Sequence, residues 1–198
     1  HVHIPQNHWV KIESLSWENL LQAWNSSFSS FPNNRPLAQL SFGVNHALSG
    51  LDPWVFKTTN LALHLLIGLA VFLFARLGHR ALNGGTQTSQ EMPFALLATA
   101  FWLLAPMHVS TVLYTVQRMA QISALATTLA LASYIWGRLQ INRGRSGLGW
   151  ILAVIPLGAV GFLGKENTVL LPLLLLSLEL TLLQRLGGGR QSQVRIGW

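Results

Sequence analysis

An apolar run from Pro53 to about Leu77, passing through Leu61-Ala62-Leu63-His64-Leu65-Leu66-Ile67 and ending at Arg76, constrains this chain more than any other feature. It supplies the roughly 20 residues that a tilted helix needs to cross hydrocarbon. A backbone segment in lipid must satisfy its own amides, so an uninterrupted run of this length reads as a transmembrane α-helix. A hydrophilic linker, Gly78 to Glu91, contains the turn sequence Asn83-Gly84-Gly85 and cannot remain in hydrocarbon. The apolar pattern then returns from about Pro93 to Pro106, extended by His108 and Val109, and again from about Met119 to Trp136, which predicts an antiparallel hairpin turning at Tyr114 to Arg118. After Gly137 to Gly147, further spans are expected from about Leu148 to Leu163 and from about Thr168 to Leu183, with kinks at Pro156 and Pro172. The expectation is an all-α, polytopic transmembrane helix bundle of about five spans over residues 53–184. An extracytoplasmic loop region, 1–52, precedes it, and a cytoplasmic tail, 185–198, follows.

Composition agrees with lipid as the solvent, because 51% of the residues are hydrophobic and only 10% are charged. The formal charge of +7 raises the question of nucleic acid. No clustered basic face or aromatic-basic interleaving accompanies it, so nucleic acid is not expected as a partner. The basic residues instead report topology. Arg76, Arg80, Arg138, Arg143, Arg145, Arg185, Arg190 and Arg195 fall on one side of the predicted spans, eight against the five on the other, Lys11, Arg35, Lys57, Arg118 and Lys165. The richer side is expected to be cytoplasmic, which places the N-terminal region in the periplasm or lumen. With no cysteine in the chain, disulfides, thiolate metal sites and a cysteine nucleophile are excluded. The sequence opens at His1 without a methionine or a basic leader, which reads as an internal fragment with a further span upstream.

Within the first region, Trp17, Leu20, Leu21 and Trp24 recur at helical spacing, with Ser16 placed as a cap and Glu18 in the first turn. Two readings are open: an amphipathic helix lying in the membrane interface, where tryptophan is favoured, or a helix packed on the rest of the loop region.

Ionisable groups at membrane depth are costly and merit individual weighing. They gather at the predicted outer boundary: Arg35, Asn60, His64, His108, Gln117, Arg118, Gln121, Lys165, Glu166 and Asn167. In a bundle they could line one polar cavity, and its arginine and lysine suit a phosphate, the first as a planar fork and the second as a point charge. Each also has a purely structural reading. Arg35 and Arg118 could bind lipid headgroups, Lys165 and Glu166 could form a loop ion pair, and His64 could hydrogen-bond a neighbouring helix. Glu179 reads as structural, reaching the interface or pairing with Arg185. His1, His3 and His8 lack carboxylate partners, so no metal site is expected.

Several strings carry a resemblance. They are Arg35-Pro36-Leu37-Ala38-Gln39-Leu40-Ser41-Phe42, Asn45, Gly50-Leu51-Asp52-Pro53, Phe56 and Asn60-Leu61-Ala62-Leu63-His64-Leu65-Leu66. Ala105-Pro106-Met107-His108, Val112, Gln117-Arg118-Met119, Tyr134, Gly137-Arg138 and Gly164-Lys165-Glu166-Asn167 follow in order. Together they resemble the membrane portion of polytopic GT-C glycosyltransferases, in particular bacterial relatives of the tetratricopeptide-containing protein O-mannosyltransferases. The resemblance implies transfer of a sugar from a polyprenyl-phosphate carrier to an extracytoplasmic acceptor, with no separate cofactor, in a bacterial inner membrane. It implies Arg35, His64, His108, Arg118 and Lys165 as lipid-phosphate binders, supported by Asn60, Gln117 and Glu166, with Glu166 holding Lys165. The implied partners are membrane lipids, the polyprenyl-phosphate sugar and a protein acceptor. Such enzymes carry an acidic pair early in the first outer loop, whereas this chain offers Glu13, Glu18 and Asp52, none adjacent to another acid. The chain alone is therefore expected to be inactive. The alternative is a non-catalytic membrane subunit of a larger complex, built on the same scaffold.

Overall fold

The computed structural model describes residues 11–29 and 35–183. These residues are helical throughout their ordered elements, and no strand occurs among them. Helices α1 (Trp17–Ser29) and α2 (Pro36–Ser49) precede the long α3 (Pro53–Leu82). Then come α4 (Glu91–Leu103), a short α5 (His108–Leu113), a 3₁₀ turn (Thr115–Gln117) and α6 (Arg118–Asn142). Helices α7 (Leu148–Leu152) and α8 (Val154–Gly164) lead through a 3₁₀ segment (Glu166–Leu170) to α9 (Leu171–Leu178) and a π turn (Glu179–Leu183).

Three segments are long and apolar enough to cross a membrane: Pro53–Leu82, Thr115–Asn142 and Glu166–Leu183. Two shorter apolar segments, Glu91–Leu103 and Leu148–Gly164, occupy the remaining expected spans. The first is 13 residues long, about 20 Å at 1.5 Å per residue, less than the hydrocarbon thickness. Pro156 has no N–H to offer the Leu152 carbonyl, and the helix interrupts between α7 and α8 one turn before it. Pro172 sits instead in the first turn of α9, where its missing donor is harmless.

Helices extend further than hydropathy indicates. α3 continues through Arg80 and Ala81, and α6 through Leu139 and Gln140, all four buried, because tertiary packing carries the helix past its apolar run. Residues 36–49, which read as loop, form a helix begun by Pro36 and burying Ala38 and Phe42. Asp52 does not remain a free acid. Its Oδ1 accepts from the Trp54 amide at 2.9 Å and caps α3.

Helix α3 packs on α4 and α6, α6 packs on α8, and α2 rests against α8. Because successive long segments reverse direction, the starts of α3 and α6, the ends of α4 and α8 and the 166–170 segment share one end of the bundle. We call this the Arg118 end; the turns 83–90 and 143–147 mark the opposite, Glu91 end. One core cluster sits at each, Ala38, Phe42, Phe56 and Met119 at the first and Ala81, Ile135, Leu139 and Leu183 at the second. Between them the interfaces use small residues, with Ala126, Ala130 and Ala132 buried on α6 while Leu65, Leu69, Leu97 and Phe101 face outward.

At the loop region, α1 packs on α2 through Ala23, whose Cβ would lie 3.1 Å from a Cβ built on Gly43. Its Trp17, Leu20, Leu21 and Trp24 instead form, with Leu40 and Val44, an open apolar groove, and Trp17 is 73% exposed. The helix thus uses one face for packing and leaves the tryptophan face outward.

Candidate functional site

The polar residues of the Arg118 end are arranged around one guanidinium. Arg118 opens α6 and is completely buried. Its Nε donates to Asn60 Oδ1 at 2.9 Å, one terminal nitrogen to the Ser41 carbonyl at 3.1 Å and Asn45 Oδ1 at 3.3 Å, and the other to the Phe56 carbonyl at 3.0 Å. The guanidinium carbon lies 4.9 Å from the Phe42 ring centre and 5.6 Å from that of Phe56. No carboxylate joins this set among the described residues. A buried cation is tolerated here because neutral oxygens and aromatic faces replace its water. The side chain therefore ties α2, α3 and α6 together and, fully buried, exposes no donor to solvent.

Asn60 extends the network. Its amide nitrogen donates to the carbonyls of Val112 and Tyr114, at 3.3 and 3.1 Å, and its own carbonyl accepts from Gln121 Nε2 at 3.0 Å. One turn along α3, buried His64 places Nε2 3.2 Å from the Leu103 carbonyl, the structural arrangement weighed for this residue from sequence. Its ring stacks on Trp102 at 4.9 Å, and His108 closes the group, 4.4 Å from Trp102 and 5.2 Å from His64. His64 Nδ1 and Gln121 Oε1 are buried with no hydrogen-bond partner. Each leaves capacity for one further polar group.

Of the cations named from sequence as phosphate binders, Arg35 and Lys165 are less buried than Arg118. Arg35 makes a two-pronged pair with Glu166, at 2.7 and 3.2 Å, and reaches Met119 Sδ at 3.1 Å. The Glu166 side chain is 59% exposed. The expected clasp of Glu166 on Lys165 is replaced by this pairing with Arg35, because the 3₁₀ turn after Lys165 swings Glu166 toward the start of α2. The Lys165 ammonium makes no ion pair among the described residues and is half-buried. Gln117 forms the turn into α6, also half-buried. The eight residues Arg35, Asn60, His64, His108, Gln117, Arg118, Lys165 and Glu166 thus lie at one end of the bundle. Seven fall into three groups, Arg118 with Asn60, His64 with His108, and Arg35 with Glu166 beside Lys165, while Gln117 stands in the turn before Arg118.

Sequence reasoning missed the cradle of Arg118. Ser41, Asn45 and Phe56 carry no signal of that role, since the two shorter of their bonds, from Ser41 and Phe56, are made by backbone carbonyls. It also missed a second centre at the Glu91 end. Glu91 is fully buried, taking Arg76 Nε at 2.7 Å and Arg80 at 2.5 and 3.0 Å. The spacing of Arg76 and Arg80, one turn apart on α3, was the available clue. Glu179 pairs with Arg138 at 2.6 Å and accepts from the Tyr134 hydroxyl at 3.0 Å; Arg185, its anticipated partner, lies outside the described residues. His1, His3 and His8 also lie outside them.

Comparison with known proteins gives a consistent set of relatives. Protein O-mannosyl-transferase TMTC2 of Mus musculus is 29% identical over 168 residues, covering 84% of this chain and 18% of that protein. Protein O-mannosyl-transferase TMTC4 of Homo sapiens is 32% identical over 152 residues, covering 73% of this chain and 20% of that protein. The tmtc2 protein of Xenopus laevis is 28% identical over 166 residues, covering 84% of this chain and 18% of that protein. The chain spans about a fifth of the length of these relatives. The similarity supports a glycosyltransferase-like family. No family model and no solved structure matches the chain.

Proposed function

We propose that this chain forms part of the membrane core of a glycosyltransferase that moves a sugar from a polyprenyl-phosphate carrier to an acceptor outside the cytoplasm. The observation that carries the reading is similarity along 73–84% of the chain to proteins named protein O-mannosyl-transferases. That name suggests mannose as the sugar and a protein hydroxyl as the acceptor. In this reading the Arg118 end faces the acceptor, the Glu91 end the cytoplasm, and the membrane is a bacterial inner membrane.

The chemistry asked of this segment is electrostatic. Departure of the carrier leaves a phosphate whose charge must be stabilised. Arg35 is suited to this, since its fork already holds the exposed Glu166 carboxylate in a two-pronged pair and matches a phosphate in the same way. Lys165 adds a point charge nearby. Arg118 acts as a positioning residue that fixes α2, α3 and α6, while the unsatisfied atoms of His64 and Gln121 offer hydrogen bonds to a hydroxyl. Asp52 is engaged as a cap and Glu166 by Arg35, which leaves Glu13 and Glu18 as the exposed acids of the first region, neither adjacent to another acid, so in this reading the acidic pair is supplied from outside the described residues.

The same engagement of the acids favours a second reading, a non-catalytic membrane subunit on this scaffold. An assay of the full-length protein in membranes, with a mannosyl polyprenyl phosphate and a Ser/Thr peptide, separates the two. We expect transfer, reduced about 10²-fold in Arg35→Gln and Lys165→Ala, the usual scale for losing one such charge. Full transfer in both variants removes the phosphate assignment; absence of transfer by the unaltered protein supports the subunit.

A further inference from the structure

At the Glu91 end a cavity of about 500 Å³ opens between α3, α6 and the α7–α8 segment. Leu73, Leu129 and Leu157 line its apolar part, and Arg76 and Arg80 stand at one edge. Trp136 and Trp150 flank it, and Trp150 is 51% exposed. From this arrangement we propose that the cavity binds an anionic glycerophospholipid of the adjacent leaflet, with an acyl chain among the leucines and the headgroup phosphate on Arg76.

Charge points to that occupant. Two guanidiniums share a single carboxylate, so one positive charge is left uncompensated. Arg80 spends both Nε and a terminal nitrogen on Glu91, whereas Arg76 spends only Nε and keeps a third of its side chain exposed. Its remaining donors have no partner among the described residues. Depth agrees. Arg76 lies six residues before the end of α3 at Leu82, about 9 Å along the axis, and tryptophans favour this headgroup-to-acyl boundary. A neutral headgroup would leave the charge unanswered, and a free phosphate would leave the leucine-lined volume unfilled. The site lies at the opposite end of the bundle from the Arg118 cluster and does not depend on the proposed transfer reaction.

The test is native mass spectrometry of the full chain released from bilayer discs containing equal phosphatidylglycerol and phosphatidylcholine. We expect retention of phosphatidylglycerol over phosphatidylcholine by about fivefold, the scale of one basic residue at an anionic surface. Arg76→Gln is expected to abolish that preference, while Arg145→Gln, which removes an exposed loop arginine at the same end, retains it. Leu157→Trp, which fills the cavity and leaves the arginines in place, should lose bound lipid altogether and keeps the proposal testable if Arg76→Gln fails to fold. No preference in the unaltered protein, equal loss in both arginine variants, or undiminished binding in Leu157→Trp overturns it. Displacement of the phospholipid by an equal concentration of a polyprenyl phosphate also overturns it, assigning the cavity to the carrier.

Discussion

Arg118 and Glu91 are two buried charges stabilised in different ways. Arg118 has no counter-ion among the described residues and relies on oxygens from three residues of α2 and α3 besides Asn60. Truncation to alanine strands those acceptors, each at about 1–3 kcal/mol, so Arg118→Ala should destabilise by several kcal/mol. Arg118→Lys should rescue little, since an ammonium cannot span the same fork. A thermal melt of the purified protein in detergent checks both, and an unchanged midpoint in Arg118→Ala would remove its role as a pin. Glu91 is the sole carboxylate answering Arg76 and Arg80 among the described residues. Glu91→Gln leaves two guanidiniums facing each other and should destabilise by about 3–5 kcal/mol, the penalty of breaking a buried pair. The same melt decides it, and a midpoint equal to that of the unaltered protein contradicts the claim.

Among the elements, the contact of α6 with α8 is set by glycine. A Cβ on Gly161 would meet Ala126 Cβ of α6 at 3.3 Å and Thr168 Oγ1 of the 166–170 segment at 2.7 Å, and one on Gly164 would meet Ile122 Cγ2 of α6 at 2.8 Å. This close approach lets Ser123 and Thr168 share a hydrogen bond of 2.7 Å, a polar link between segments in lipid. Gly161→Val should push the helices apart and lower stability by about 1–3 kcal/mol. Gly149→Ala is the control, with nothing within 4 Å of the added carbon, and should change stability by less than about 0.5 kcal/mol. Equal effects in the two would show that the spacing of α6 and α8 is not glycine-limited.

For the whole molecule, the positive-inside asymmetry predicts that the Arg118 end and the Glu91 end face opposite compartments. The absence of cysteine allows a clean test. Ser14→Cys and Ser146→Cys, both at exposed positions, should react with a membrane-impermeant maleimide from opposite sides of intact cells or inverted vesicles. Labelling of both from one side contradicts the alternating path of the chain.

Length and charge-free composition were sufficient to establish helices and lipid, because a membrane-length apolar run has one low-energy backbone. The positions of the long segments and the interruption before Pro156 followed from the same local chemistry. Segment ends did not, since Arg80 and Gln140 stay helical only where neighbouring helices bury them. Nor did the helix at 36–49, which needs α3, α6 and α8 to cover Ala38 and Phe42. The candidate residues were individually visible as ionisable groups in apolar surroundings, but their roles were not. Whether Arg118 faces a ligand or a cradle of side-chain and backbone oxygens depends on which helices meet beside it, and the choice of Arg35 over Lys165 by Glu166 depends on one turn of 3₁₀ geometry. Local sequence set which segments enter the membrane; packing decided which of their charges are buried and which remain available.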